Sequence, residues 1–203
     1  MEIGEETPLG LRERKKRETR DALSLAVIRL SVERGWDNVT VQDAAAAANV
    51  SERTFRNYFA SKADAVATRH LDRMLRVAAE VRARPKDDPL WDAITDAVTS
   101  QFAGGLPPSR QWPDAVRLML TEPDVERGFL KATATAQREL AAAVAERTGT
   151  DTTRDLYPTL VAAAIGAATT AAMEHWLRVD PPVAMDTLIR EALDRLRAGL
   201  PVP

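Results

Sequence analysis

The sequence predicts an all-α protein, and three observations carry that reading. Ala (35) and Leu (20) dominate the 203 residues while Gly stands at 9, a composition that favours helix. Aromatic residues make up only 5%, too few with the sparse β-branched residues for a sandwich or barrel. Apolar residues recur at i, i+3, i+4, i+7 through most of the chain. At 45% apolar and 29% charged, the chain reads as an ordinary folded globular protein with a real core.

The elements follow in order. Residues 1–10 read as loose, and a basic run follows: Arg12, Arg14, Lys15, Lys16, Arg17 and Arg20. Leu23, Ala26, Val27 and Leu30 hold the helical period, with Leu25, Ile28 and Val32 as a second stripe, so this helix is wedged between partners. Gly35 is a natural stop. Thr40 with Asp43 three places on is a capping-box start for a short helix through Ala44–Ala48. Asn49 ends it, because Asn tolerates the left-handed conformation. Ser51 then caps a second short helix, Glu52 to about Tyr58. Ser61 and Asp64 repeat the spacing and open a longer helix carrying Val66, His70, Met74, Ala78 and Val81 up to Pro85.

Asp88-Pro89 opens the next helix, with the stripe Leu90, Trp91, Ile94, Val98 and Phe102. Gly104–Pro108 is a break, and a short helix around Asp114–Leu120 follows. Another starts near Pro123, carries Val125, Phe129, Ala136, Leu140 and Val144, and stops at Gly149. Residues 155–178 form an Ala-rich helix, broken by Asp180-Pro181-Pro182. The last helix bears Leu188, Ile189, Ala192, Leu193, Leu196 and Leu200. About nine helices result.

Charge is uneven along the chain. From Arg12 to Arg69 there are 12 basic and 8 acidic residues, net +4; from Leu71 onward there are 16 and 19, net −3. A basic front suits phosphate. Glu2, Glu5 and Glu6 without an apolar stretch argue against a signal peptide. The uncharged stretch Leu156–Met173 reaches membrane-span length, but its Ala and Thr give little hydrophobic drive, so it reads as a buried helix of a cytoplasmic protein. With no Cys and only His70 and His175, thiolate metal sites, disulfides and multi-histidine sites are excluded. No cofactor or metal is expected. No phosphate-binding Gly loop, nucleophile elbow or Cys/His dyad supports an enzyme.

Two short helices joined by a tight turn are the parts of a helix-turn-helix, whose second helix enters the major groove. Phe55 and Phe59 lie four apart and anchor that helix from behind. The outer face shows Arg53, Thr54, Asn57 and Tyr58. Arg can read guanine, Asn can read adenine, and Thr and Tyr can reach phosphate or a thymine methyl. Lys62 stands where its charge suits a phosphate. By these residues alone a surface helix of a bundle is an equal reading.

Thr40–Ala45, Ala48–Ser51 and Arg53–Lys62 together resemble the DNA-binding signature of the TetR family of transcriptional regulators. The resemblance covers roughly residues 15–65. Ala44 stands where that family often has Ile, and Asn49 where Gly is common. The resemblance implies a DNA-binding head (1–62) with contacts from Thr40, Ser51, Arg53, Thr54, Arg56, Asn57, Tyr58 and Lys62, aided by phosphate contacts from Arg14 to Arg20. It implies a helical body (63–203) for ligand binding and dimerisation. Residues 85–200 more weakly resemble mycofactocin-type regulators, associated with acyl-CoA-like effectors. The similarity lies in the style of Asp87-Asp88-Pro89-Leu90 and Arg197-Ala198-Gly199-Leu200-Pro201.

The implied function is a dimeric repressor on a palindromic operator in double-stranded DNA, released by a small molecule. Alternatives are an effector-independent regulator, an activator, or a helical small-molecule-binding protein without a DNA role. The expected homodimer face is Leu160, Val161, Ala164, Ile165, Ala168, Leu193 and Leu196, although the same stripe could serve an intrachain core. Candidate cavity residues are Trp91, Phe102, Trp112, Arg117, Met119, Phe129, Met173 and Trp176.

Overall fold

A computed structural model places residues 8–102, 112–178 and 183–202. Among these described residues there is no strand, and nine α-helices follow one another. They are α1 (Pro8–Arg34), α2 (Val41–Ala47), α3 (Glu52–Tyr58), α4 (Lys62–Ala83) and α5 (Leu90–Ser100). Then come α6 (Trp112–Thr121), α7 (Pro123–Thr148), α8 (Leu156–Trp176) and α9 (Met185–Arg197). The Gly104–Pro108 break and Asp180–Pro182 lie outside the described residues, as does the tail before Pro8. Helix α1 starts earlier than the expected loose segment would allow, and Leu200 falls beyond the end of α9.

Local chemistry explains the starts and stops at the front. Gly35 follows α1 with φ +85°, a conformation that suits residues without a Cβ. Asn38 Nδ2 donates to the Arg34 carbonyl at 2.7 Å, and a single 3-10 turn, Trp36–Asn38, follows α1. At α2 the capping box is complete: the Asp43 amide donates to Thr40 Oγ1 at 3.1 Å, and the Thr40 amide to Asp43 Oδ2 at 2.9 Å. The Thr40 hydroxyl also donates to Asp43 Oδ2 at 2.5 Å, and this bond, followed by that from the Thr40 amide, lowers the Asp43 pKa. Asn49 takes φ +56° and turns the chain into α3. Ser51 Oγ accepts the Thr54 amide at 3.1 Å, and Ser61 Oγ the Asp64 amide at 3.0 Å. Pro89 occupies the cap position of α5, so the helix starts one residue later than the expected cap at Asp88 would place it.

Two apolar cores result. The front core joins Leu23, Val27, Ile28, Trp36, Ala44, Phe55, Phe59 and Val66, and draws in Leu118 of α6 and Val125 of α7. The rear core joins Val77, Val81, Ile94, Val98, Phe129, Leu140, Val144, Ile165, Ile189 and Leu193. Helix α4 belongs to both: its first turns serve the front and its later turns the rear. Ser24 Oγ donates to the Ala65 carbonyl at 2.8 Å and fastens α1 to α4. Helix α7 crosses α4 so closely that a Cβ on Gly128 would lie 2.8 Å from Ala67 Cβ. The α4–α5 connection is held by Arg147. Its guanidinium donates to the carbonyls of Val81, Arg84, Pro85 and Asp88 at 2.8–3.2 Å.

Candidate nucleic-acid interface and body cavity

Helix α3 is pinned from behind and open in front. Phe55 and Phe59 are buried, their ring centroids 5.5 Å apart. Tyr58 is half-buried and packs on the same core. The outer face carries Arg53, Arg56 and Asn57, all exposed, with Thr54 half-buried. Arg56 is bound within the helix: Nε and Nη2 donate to Glu52 Oε1 at 3.0 and 2.7 Å. Among the described residues, Arg53 and Asn57 engage no hydrogen bond or ion pair. They stand one turn apart on one face, their donors and acceptors directed to solvent.

The other expected contacts divide. Thr40 and Ser51 are exposed, but their hydroxyls serve the caps of α2 and α3. Lys62 is turned inward: its Nζ donates to the carbonyls of Trp36 and Val39 and lies 4.3 Å from the Trp36 ring centroid. Its charge therefore ties α4 to the end of α1. In the basic run, Arg12, Lys15, Lys16 and Arg17 are exposed, while Arg20 pairs with Asp72 of α4 at 3.2 Å.

The rear core contains a cavity between α4, α5, α7 and α8. Its free interior is small, about 40 Å³, and part of it opens to solvent. Met74, Val77, Phe129, Leu140, Ile165 and Met173 supply apolar walls, and His70, Thr133 and Gln137 add polar groups. His70 is buried, stacks on Phe129 with centroids 4.0 Å apart, and shares a hydrogen bond of 3.1 Å with Thr133 Oγ1. Burial and the charge of Arg73 lower its pKa to about 3, so its ring is neutral.

Of the expected cavity residues, Phe129 and Met173 line this space. Trp91, Phe102 and Trp176 instead pack on the rear core outside it, and Trp176 Nε1 donates to the Val183 carbonyl at 2.7 Å. Arg117 is exposed and paired with Asp114 at 2.7 Å. The side chains of Trp112 and Met119 lie outside the described residues. Sequence reasoning missed His70 as a wall, although a signal existed: an imidazole in an otherwise apolar helical stripe.

Most of the expected dimer face points inward within the chain. Val161 and Ile165 are buried within the chain, and Leu193 of α9 is wholly so. Ala164, Ala168 and Leu196 are half-buried, and only Leu160 of that set is exposed. The outward stripe is Leu156 (74% exposed), Leu160 (56%), Ala163, Ala167 and Ala171. Helix α8 is apolar nearly all round, so periodicity alone could not separate its two faces. Nor is α8 simply buried. It is long and apolar enough by length and composition to cross a membrane, but it packs on α7 and α9 and leaves one side open.

Comparisons with known proteins agree with this geometry. Residues 26–67 match the bacterial regulatory proteins of the tetR family, and residues 88–201 match the MftR C-terminal domain. The chain is 29% identical over 201 residues to the HTH-type transcriptional regulator TcmR of Streptomyces glaucescens, covering 94% of this chain and 88% of that one. It is 28% identical over 191 residues to MftR of Mycobacterium tuberculosis, a regulator assigned to mycofactocin biosynthesis, covering 92% and 93%. Among solved structures, a TetR-family regulator from Syntrophomonas wolfei superposes with a TM-score of 0.65 at 16% identity, covering 92% of this chain and 98% of that one. The chain thus belongs to the TetR family of DNA-binding transcriptional regulators, with a body of the MftR C-terminal type.

Proposed function

We propose that this regulator is a repressor that binds a two-fold-symmetric operator as a homodimer and leaves it when a hydrophobic small molecule fills the body cavity. The observation that carries the reading is the pair Arg53 and Asn57, whose side chains have no intrachain partner among the described residues, on a helix braced by Phe55 and Phe59. Such side chains hydrogen-bond the edges of guanine and adenine. Thr54 and Tyr58 stand beside them to reach the backbone. The exposed Arg12, Lys15, Lys16 and Arg17 add sequence-independent affinity that falls with salt. The head spans residues 1–62 and the body 63–203.

Two copies meet through the outward stripe of α8, with Leu196 of α9 at its margin. The two-fold axis sets two α3 helices into successive major grooves. The cavity favours an apolar effector, and the kinship with MftR makes an acyl-CoA-like compound one candidate class. An effector that binds the released arrangement better shifts the dimer away from DNA by that difference in affinity. The protein acts in the cytoplasm and catalyses no reaction.

The test is selection from sheared genomic DNA of the source organism at fixed physiological salt. Enriched fragments sharing a two-fold motif, with half-sites about 10 base pairs or a multiple apart, support the reading. No enrichment by a folded dimer freed of bound small molecules contradicts it.

A further inference from the structure

Arg73 sits one turn beyond His70 on α4 and is 9% exposed. Its guanidinium lies over the Phe102 ring, 5.0 Å from the centroid. No carboxylate, carbonyl or hydroxyl among the described residues accepts a hydrogen bond from it. Its neighbours are cations whose needs are met: Arg69 faces Asp21 at 3.7 Å, and Arg76 donates to Gln101 Oε1 at 3.0 Å. Burial, then the charges of Arg69 and Arg76, lower the Arg73 pKa to about 10. It is still a cation at neutral pH. A buried cation without an anion is costly and calls for a compensating partner.

The cavity lies alongside. His70, Met74 and Val77 line it from α4, and by helical spacing Arg73 shares their face. Val98 lines it from α5, and Phe102 follows four residues on, in the turn just past the end of that helix. The Arg73–Phe102 pair therefore stands at the α4–α5 margin of the apolar space.

We propose that Arg73 is the anion-binding residue of the effector site, so that the effector is an amphipathic anion. Its apolar part lies among Met74, Val77, Phe129, Leu140 and Ile165, and its carboxylate, sulfonate or phosphate pairs with Arg73. This rests on reading the cavity as the effector site. The planar fork of a guanidinium suits a two-oxygen anion, and its largely buried position strengthens the pair. Neutral His70 adds a hydrogen-bonding edge without a competing charge.

Two fluorescent probes test it: anilinonaphthalene sulfonate, and phenylnaphthylamine, which has the same rings and no charge. The wild-type dimer is expected to bind the sulfonate at least tenfold more tightly than the neutral amine. Arg73→Met should bring the two within about twofold by weakening the sulfonate alone, and Arg73→Lys should keep part of the preference. Arg73→Met should also raise the melting temperature of the ligand-free protein, because it deletes an unanswered buried charge. Equal binding of both probes by the wild type, or equal weakening of both by Arg73→Met, overturns the anion assignment and leaves the cavity reading standing. Binding of neither probe overturns both. So does binding that persists in Ala136→Phe, which fills the cavity.

Discussion

The Lys62 ammonium lies 4.3 Å from the Trp36 ring centroid and donates to the carbonyls of Trp36 and, at 2.9 Å, Val39. One side chain from the first turn of α4 thus satisfies two carbonyls between α1 and α2. A lysine whose place in the sequence suits a phosphate here braces the head. Lys62→Met should lower the stability of the protein by about 1–3 kcal/mol, the scale of hydrogen bonds to a charged group. Thermal unfolding measures this. The slope of log affinity for DNA against log salt should stay unchanged. A slope smaller by about two, one for each head of the dimer, would mean that Lys62 neutralises a phosphate after all.

The proposed dimer uses the outward stripe of α8. Leu160→Arg places a charge in its middle, where burial without a partner is unfavourable. Sedimentation velocity at micromolar concentration should show the wild type as a dimer and this variant as a folded monomer. Ile165→Val, on the inner face, should trim stability by about 0.5–1.5 kcal/mol and leave the dimer intact. The reverse pattern would restore the interface to the inner stripe.

His70 gives the stability a pH dependence. Its pKa is lowered from 6.5 to about 3 in the folded chain. Above pH 6.5 both folded and unfolded chains hold it neutral, and nothing changes. As the pH falls below 6.5, the unfolded chain takes up a proton that the folded chain refuses. Stability is then lost until about pH 3, the folded pKa. Between pH 7 and pH 5 the wild type should lose about 2 kcal/mol more than His70→Leu. Denaturant titrations of both proteins at the two pH values measure the difference. Parallel losses would mean that the ring is not held neutral.

Ser31 Oγ is the one side-chain oxygen or nitrogen among the described residues that is both sealed from solvent and without a hydrogen-bond partner. Ser31→Ala should therefore raise stability by about 1 kcal/mol. Gly128→Ala should lower it by about 1–3 kcal/mol, because its new methyl meets Ala67 Cβ, which cannot move without its helix. Equilibrium unfolding of the two variants gives both signs.

The front of the molecule was legible because its signals are local. Thr40, Asn49, Ser51 and Ser61 act within four residues of themselves, and their caps and turn stand as the sequence suggests. Phe55 and Phe59 likewise declare one face of a short helix. The body was legible as helices but not as faces. Around α8 the apolar residues run on every side, so Ile165 and Leu160 looked alike, though one is core and the other surface. Lys62 and Arg73 were misread or passed over for a related reason. Their roles depend on carbonyls and rings 26 and 29 residues away, at Trp36 and Phe102, and no spacing rule reaches that far.

The central claim is that α3 of two paired heads reads a two-fold site, and Asn57 tests it most directly. Asn57 is exposed and engages no intrachain partner among the described residues, so Asn57→Ala should leave the fold and melting temperature unchanged. Affinity for a selected palindromic duplex at fixed salt should fall at least about 30-fold, one lost base contact in each head. Tyr58→Ala should weaken binding too, with some loss of stability from its half-buried ring. An Asn57→Ala protein that binds the duplex as tightly as the wild type would contradict the account.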